Sequence, residues 1–493
     1  MPDTTAASPE RTAGTVPARA GTLRYALLAA AAAVVCAGLA LGPGPALSAQ
    51  GHVTLAVFAV ATLLWMFGRV DDVLVALAAW LALVLTRVLE PGVFLSGLAG
   101  PTVLLLVCAF VIAGGVARTG LATRAAAVVV AGARSARALV HLTTAALVAA
   151  VFAIPATSGR AALALPVFVA LARTLGDRRR MVLALALLFP TVILLSAVAT
   201  LIGAGAHLIT VGILADTTGE RIGFTRWLLL GTPLALVSSH LAAELILLLT
   251  TGRDDRRRPM SIRAEDVGEA AGVRVTGPLT GPQARSAALL AVVIAAWCTE
   301  PLHGVHPAVV ALVGAVATVA PGLGTMRLKE APAAVPWRLL VFLAATTAMG
   351  VAVTTSGAAR WLGGAVFGAV TGPARPPAWL FLAAVVAVSA VAHLVLQSRS
   401  ARSSVLVPLV IAASSGAGIA PAAAAFASTA AAGFCQTLPS SAKPVALFHT
   451  VGGVPTYTSR DLMRTAAVVG PVTAALVLAF ALWVWPVLGL PLR

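Results

Sequence analysis

Several residue types are scarce in this sequence, and each scarcity excludes a class of protein. Of the 493 residues, 17 are acidic, four are cysteine, two are tyrosine and none is asparagine. The cysteines stand at unrelated spacings inside apolar runs, which excludes a disulfide framework and a metal knuckle. Basic residues do not alternate with aromatic ones, so we expect no nucleic acid partner although the formal net charge is +17.

The remaining composition is typical of an integral membrane protein. Hydrophobic residues make up 59% of the sequence, charged residues make up 10%, and the mean hydropathy is +0.98. Apolar runs of about 20 residues are long enough to cross the hydrocarbon layer as helices. We expect an all-α polytopic membrane protein with about 10 to 12 transmembrane helices. We expect it to lie in the lipid bilayer of the inner (plasma) membrane.

Polar intervals divide the chain into segments. Residues 1–22 are rich in Ala, Thr, Pro and Gly and are predicted to form a disordered tail. Residues 252–285 are charged and contain prolines, and their basic content predicts a cytoplasmic linker. This division places a first transmembrane repeat, with an extra N-terminal helix, at 23–251 and a second repeat at 286–493.

One apolar phrase occurs once in each half of the chain. Residues 158–166 align without a gap on residues 400–408, a displacement of 400 − 158 = 242, and each copy carries an arginine. Membrane halves interrupted at matching places are typical of secondary transporters, which hold their substrate at the repeat interface. We expect two related, inverted repeats with broken helices and re-entrant hairpins. The side of the charged turn at 177–180 is left open, because the stretch before it either crosses once or folds back.

The interruptions predict an anion site. Around 154–160 and 397–404, proline, glycine and hydroxyl residues break the apolar run and turn backbone groups toward a cavity. Two helix N-termini at such breaks present N–H groups and partial positive charge to an anion. Arg160 and Arg402 add guanidinium groups that suit carboxylate or sulfate oxygens. The alternative is that these arginines snorkel to an interface or pair with an acid, of which Glu244 alone lies well inside an apolar run.

A second interruption follows each first one, at 200–209 and at 438–448. The resulting layout resembles the divalent-anion:sodium symporter family, the carriers of dicarboxylates, citrate and sulfate. In that family each half has a Ser-Asn-Thr signature ten residues before a proline, and later a stretch similar to Gly-Thr-Pro-Pro-Asn. The resemblance covers about residues 53–490 of this chain.

The resemblance implies a set of site residues. The two signatures fall on 156–158 and 398–400, and the later stretches fall on 203–207 and roughly 441–445. The substrate-binding residues predicted from the motifs and their arginines are Thr157, Ser158, Gly159, Arg160, His207, Ser398, Arg399, Ser400, Arg402 and Lys443. The cation-binding residues predicted in the same way are Ser158, Gly203, Gly205, Ser400 and Ser441.

The chain departs from the family at its asparagines. The equivalent positions hold Thr157, Arg399, His207 and approximately Val445, while Lys443, one of two lysines in the chain, stands inside a motif. Basic groups in place of neutral amides favour a multivalent anion and disfavour a bound cation. His207 is expected to contact substrate or carry a coupling proton, since its charge changes in the physiological pH range. A hydrogen-bonded structural histidine is the alternative.

The expected function is secondary active transport of small multivalent anions, such as succinate, citrate or sulfate. The resemblance implies an elevator movement and a homodimer, and we expect no cofactor, with Na⁺ or H⁺ as the possible coupling ion. The sequence has no His-Glu-x-x-His, no paired intramembrane aspartates and no Gly-x-Ser-x-Gly, so we expect no enzyme. Alternatives are an arsenite permease, a proton-coupled or exchange carrier, and a non-transporting membrane receptor. Separately, His240 and Glu244 are predicted to pair on one face of a helix.

Overall fold

The computed structural model describes residues 47–67, 70–270, 272–361, 376–449 and 451–493. The predicted tail at 1–22 and the predicted helix at 23–41 lie outside these ranges. Regular structure within the described residues is helical throughout. The helices of the first half and linker are α1 (Ala49–Phe67), α2 (Asp72–Leu85), α3 (Pro91–Leu98), α4 (Pro101–Arg118), α5 (Leu121–Val130), α6 (Ala136–Ala153), α7 (Thr157–Leu175), α8 (Arg179–Leu195), α9 (Gly205–Thr218), α10 (Phe224–Thr250), α11 (Arg253–Arg257) and α12 (Ala264–Ala270).

The second half continues the helical pattern. Counting adjoining helices together, nine stretches among the described residues are long and apolar enough to cross a membrane. The prediction of an all-α polytopic membrane protein is therefore confirmed. The remaining helices are α13 (Gly281–Cys298), α14 (Glu300–His303), α15 (Pro307–Val319), α16 (Ala331–Ala334), α17 (Trp337–Thr355), α18 (Ala378–Val391), α19 (Arg399–Ala417), α20 (Pro421–Ala431), α21 (Lys443–His449), α22 (Ser459–Ala479) and α23 (Trp485–Val487).

The repeat seen in the sequence is present in the helices. α6, α7 and α8 begin at 136, 157 and 179, and α18, α19 and α20 begin at 378, 399 and 421. The three displacements, 378 − 136, 399 − 157 and 421 − 179, are all 242 residues. Each set is a helix, a sharp return, a helix with an internal proline in its tenth position, and a third helix that ends in a break.

The first pair of helices forms a re-entrant hairpin. At the start of α6, Met260 N donates to Arg134 O (3.4 Å), and just after α7, Arg178 Nη2 donates to Pro259 O (2.6 Å). Both outer ends of the hairpin therefore touch the same short piece of the linker. The charged turn at 177–180 lies on the linker side, which decides the question that the sequence left open.

The second hairpin opens on the opposite side. Helix α10 has 27 residues, about 40 Å at 1.5 Å per residue, and runs from the C-terminal segment to the linker. Near its start, Arg226 Nη2 donates to Gly489 O (2.8 Å), while its end leads into the linker at 252. Just beyond α19, Ala420 N donates to Leu492 O (2.8 Å). The two hairpins thus enter from opposite faces, as inverted repeats require.

The two halves also exchange helices. α9 of the first half packs on α19 and α20 of the second, while α21 of the second half packs on α7 and α8 of the first. The exchange follows from the breaks, because the long run at 181–214 divides at the 3₁₀ turns Ser196–Ala199 and Leu201–Gly203 before α9 begins. Both hairpin tips and both breaks meet in the middle of the protein as a result.

Candidate functional site

A cavity of about 1130 Å³ lies where the tips and breaks meet. Its walls come from both halves and from the beginnings of α2, α9 and α17. The structure brings most of the predicted site residues to this cavity. Those that line it are Thr157, Ser158, Gly159, Gly205, Ser398, Arg399, Ser400, Ser441 and Lys443.

The first hairpin tip is a short, constrained turn. Only three residues, 154–156, separate α6 from α7, so the non-helical stretch is shorter than the sequence suggested. Ala156 has a φ of 64°, a conformation that costs a residue with a side chain about 1–3 kcal/mol and is held only by its surroundings. Its N–H donates to Ile202 O (3.3 Å), which fastens the tip to the break of its own half. The first turn of α7 faces the cavity with Thr157, Ser158 and Gly159.

The second hairpin tip ends in a capped helix start. The Ser398 hydroxyl accepts a hydrogen bond from Ala401 N (3.3 Å), so α19 begins at Arg399 and the interruption predicted over 397–404 is helical from its third residue. α7 and α19 therefore direct their N-termini toward one cavity from opposite faces of the membrane. Unpaired N–H groups and the helix dipole make such ends favourable for an anion.

The cavity also contains charged side chains, two of which, Arg338 and Asp72, the sequence reasoning missed. Arg399 and Lys443 lie in its wall, and Arg338 from the start of α17 lies there as well. Asp72, the one acidic residue among the lining residues, faces Ser398 and Lys443. The available signal was the pair Asp71–Asp72 just ahead of an apolar run, in a chain with 17 acids. Asp71 lies beside the cavity and pairs with Arg338.

Arg160 does not reach the cavity. Its side chain is 2% exposed, and Nη1 donates to Ser196 Oγ (2.9 Å) while Nη2 donates to Gly203 O (3.4 Å). Among the described residues its guanidinium forms no ion pair, and it does not extend to an interface. The arginine thus holds the break after α8, behind the cavity wall.

Arg402 occupies the equivalent place in the second half. It is 0% exposed, and Nη2 donates to Ala432 O (3.1 Å), directly after α20. Arg399 lines the cavity, and one of its nitrogen atoms also contacts the ends of α8 and α20. Its Nη2 donates to Leu194 O (3.0 Å) in the last turn of α8 and to Gly433 O (2.7 Å) just beyond α20. Neither arginine has an acidic partner in the described part of the chain.

His207 is also buried, and it contacts other parts of the protein. It is 2% exposed, donates through Nδ1 to Thr200 O (3.0 Å), and packs on Trp227 with ring centroids 4.9 Å apart. Trp227 Nε1 in turn donates to Val198 O (2.9 Å). This places His207 on the far side of the break, out of contact with the cavity.

The predicted cation-binding residues divide into two groups. Ser158, Gly205 and Ser400 line the cavity, and Gly205 approaches the second tip so closely that a Cβ added there would lie 3.2 Å from Ser400 Oγ. Gly203 O and Ser441 Oγ already accept hydrogen bonds, from Arg160 and from Leu438 N (2.9 Å). Ser441 also lines the cavity, whereas Gly203 does not.

The predicted pairing of His240 with Glu244 is not what the structure shows. Glu244 instead binds Arg137 (2.6 Å) and His141 Nε2 (3.2 Å), and His240 Nδ1 meets His141 Nδ1 at 2.9 Å. The partners come from α6, which packs against α10 and offers better geometry than a neighbour on the same helix. This cluster is separate from the cavity.

The chain is similar in sequence and in fold to known membrane proteins. Residues 23–491 match the family described as the sodium:sulfate symporter transmembrane region. A membrane protein of Cupriavidus necator is 31% identical over 210 residues, so the match spans 42% of this chain and 40% of that protein. The crystal structure of the Alcanivorax borkumensis YdaH transporter, described as having an unusual topology, is 18% identical with a TM-score of 0.51. That match covers 81% of this chain and 88% of the other.

Inverted hairpins that close on a central cavity define the architecture of a secondary membrane transporter. With nearly its whole length matched, the chain belongs to the sodium:sulfate symporter family. The resemblance noted from the degenerate motifs is thereby confirmed, although the match does not test the role of any single residue.

Proposed function

We propose that the protein is a secondary transporter of small multivalent anions, either a di- or tricarboxylate such as succinate or citrate, or sulfate. The observation that carries the proposal is the convergence of two inverted helix N-termini on one cavity that also contains Arg399 and Lys443. Membership of the family supports anion transport in general. The choice of anion and the elevator movement of a homodimer remain parts of the proposal.

The residues in the cavity wall divide the work of binding. Thr157, Ser158 and Ser400 supply hydroxyls and helix N-terminal N–H groups, which hydrogen-bond anion oxygens at fixed positions. Arg399 and Lys443 supply full positive charges, and charged hydrogen bonds are shorter and roughly twice as strong as neutral ones. Arg338 and Asp72 also lie in this wall, so the described lining carries three cationic side chains and one carboxylate, and this excess of positive charge favours a dianion over a monoanion.

Arg160, Arg402 and His207 take a different part in the proposal. They hold the breaks in position from behind, since each donates to oxygen atoms at 196–204 or 432 and none lines the cavity. The sequence predicted that these three residues contact the substrate, whereas in this proposal they support the two hairpin tips. The positive charges of Arg160 and Arg402 still act on the cavity through the low dielectric interior.

Lys443 provides the sharpest test. We expect Lys443→Gln to weaken anion binding about tenfold or more, because a charge-assisted hydrogen bond contributes about 1.5–3 kcal/mol. The measurement is uptake of labelled succinate, citrate and sulfate by proteoliposomes, with binding followed as ligand-dependent thermal stabilisation. The matched control is Lys329→Gln, which changes the other lysine of the chain, in the 3₁₀ turn Leu328–Glu330 away from the cavity.

Three results separate the possibilities. Loss of binding in Lys443→Gln alone supports the proposed site. Equal behaviour of the two lysine variants contradicts the assignment of Lys443. Absence of uptake and of stabilisation for all three anions in the wild type contradicts the proposed function, and points to another substrate class or to a receptor.

A further inference from the structure

Three arginines, of which Arg160 and Arg402 are buried and Arg399 lines the cavity, donate to oxygen atoms at or just beyond the C-terminal ends of two equivalent helices. Arg160 of α7 reaches Ser196, the residue that caps the end of α8, and Arg402 of α19 reaches Ala432, the residue that caps the end of α20. The two arginines are themselves 402 − 160 = 242 residues apart, so the arrangement obeys the repeat. Each half therefore places an arginine at the residue that caps its third helix, on the Oγ of Ser196 in the first half and on the carbonyl oxygen of Ala432 in the second.

Arg399 joins the two ends to each other. Its Nη2 donates to Leu194 O in the last turn of α8 and to Gly433 O just beyond α20. Arg160 also donates to Gly203 O. Each of the three guanidinium groups therefore contacts an oxygen atom at a helix end or at a break.

Oxygens of this kind are the natural ligands of a small cation. The last carbonyls of a helix have no partner within the helix and carry the negative end of its dipole. In transporters with broken helices, unwound carbonyls and such helix ends coordinate Na⁺ or H⁺. Here Ser196 Oγ and the carbonyl oxygens of Leu194, Gly203, Ala432 and Gly433 already accept hydrogen bonds from arginine.

The charges of these arginines are not neutralised locally. Within the described residues none of the three forms an ion pair, and Nε of all three, with Nη1 of Arg399 and Arg402, lacks a hydrogen-bond partner. Uncompensated charge in a membrane interior is expensive and marks a functional group by default. A fixed positive charge at each helix end also repels a second cation from the same oxygens.

We infer that Arg160, Arg399 and Arg402 are built-in cations that take the place of coupling Na⁺, so that the protein exchanges anions without sodium. The anion supplies the missing negative charge when it binds. Without a bound anion, the positive charges of the site stay uncompensated. Moving the empty site through the membrane interior is therefore far less favourable than moving the loaded site. Net uptake is therefore disfavoured, and one anion enters as another leaves.

This inference rests on the proposed function and specifies its coupling. The experiment uses proteoliposomes that hold either unlabelled substrate anion or none, with the labelled anion added in NaCl or in choline chloride of equal ionic strength. We expect uptake to be about tenfold or more faster into preloaded vesicles and to change less than twofold between the two salts. Uptake that requires Na⁺, or that is as fast into empty vesicles, overturns the inference.

The failure of the inference differs from the failure of the proposed function. Uptake that needs Na⁺ leaves an anion transporter standing, whereas the absence of all uptake removes both. A measurement that needs no variant runs in parallel, because a specific ligand of the folded state raises the melting temperature. We expect the purified protein to melt at the same temperature in Na⁺ and in choline, and a sodium-specific rise contradicts the inference.

The built-in charge is tested directly with Arg402→Ala. We expect exchange to fall about tenfold or more and to be partly restored by guanidinium ion but not by urea, its neutral counterpart of similar shape. Rescue by urea, or unchanged exchange, contradicts the role of the charge. Arg173→Gln is the control, since Arg173 is an exposed arginine in the last turn of α7.

Discussion

At the scale of the residue, this protein places positive charge in two layers. Arg399 and Lys443 lie in the cavity wall, while Arg160 and Arg402 lie behind it on the helix ends. The one acid in the wall, Asp72, faces Ser398 and Lys443. Because Asp72 and a substrate anion carry charge of the same sign, this carboxylate opposes binding and competes for the lysine.

Replacement of Asp72 tests this competition. We expect Asp72→Asn to tighten anion binding about three- to tenfold, since a like charge near the ligand is removed and Lys443 is released. Asp266→Asn is the control, because Asp266 is an exposed aspartate of α12 that does not line the cavity. Ligand-dependent thermal stabilisation measures both variants. Weaker binding in Asp72→Asn would mean instead that the carboxylate orients Lys443 for the anion.

At the scale of the element, the breaks are held by the helix that packs on them. α10 lies against the 3₁₀ turn Ser196–Ala199. Trp227 Nε1 donates to Val198 O, and one turn later Gly231 approaches the same carbonyl so closely that an added Cβ would lie 2.0 Å away. Only glycine allows that distance, so the position of the break depends on a residue with no side chain.

This close approach predicts a large effect from a single methyl group. We expect Gly231→Ala to destabilise the protein by at least about 1–3 kcal/mol, because the clash is with backbone and neither helix can yield cheaply. Gly416→Ala is the control, since no atom lies within 4 Å of its added Cβ. In the last turn of α19 this change is expected to be neutral or to stabilise the protein by at most about 0.5–1 kcal/mol. Melting temperatures in detergent measure both, and equal values would refute the contact.

At the scale of the whole molecule, the inverted hairpins bring equivalent parts to one place from opposite faces. The exchange of α9 and α21 between the halves joins the tips to the breaks, so neither half can form the cavity alone. The same arrangement predicts that the outer ends of the two hairpins are accessible from different sides of the membrane.

Cysteine labelling tests this topology. We expect Asp177→Cys, after α7, and Ser415→Cys, in the last turn of α19, to react with an impermeant thiol reagent from opposite sides of a sealed vesicle. Both positions are exposed at the outer end of their hairpin. Cys298, the exposed cysteine among the described residues, and Cys36, which lies outside them, are first changed to serine to give a clean background. Labelling of both positions from one side would contradict the inversion.

The sequence by itself determined the class of the protein, the repeat and the hairpin tips. Hydropathy, proline and glycine act locally, and for this reason the 242-residue displacement found for one phrase recurs in the starts of three pairs of helices. The lengths of the interruptions were overestimated, because Ser398 caps a helix that begins at once and Ala156 accepts a strained conformation. The serines, Lys443 and Arg399 at the cavity were also predicted from motif position alone.

Only the tertiary structure decided which charges face the cavity. Arg160 and Arg402 stand inside the repeated phrase, yet they turn toward helix ends that lie 36 and 30 residues further along the chain. Asp72 enters the cavity from an element more than 300 residues away from the lysine that it faces. Side-chain direction depends on which oxygens the folded chain leaves unpaired nearby, and distant segments supply those oxygens only after the helices have packed.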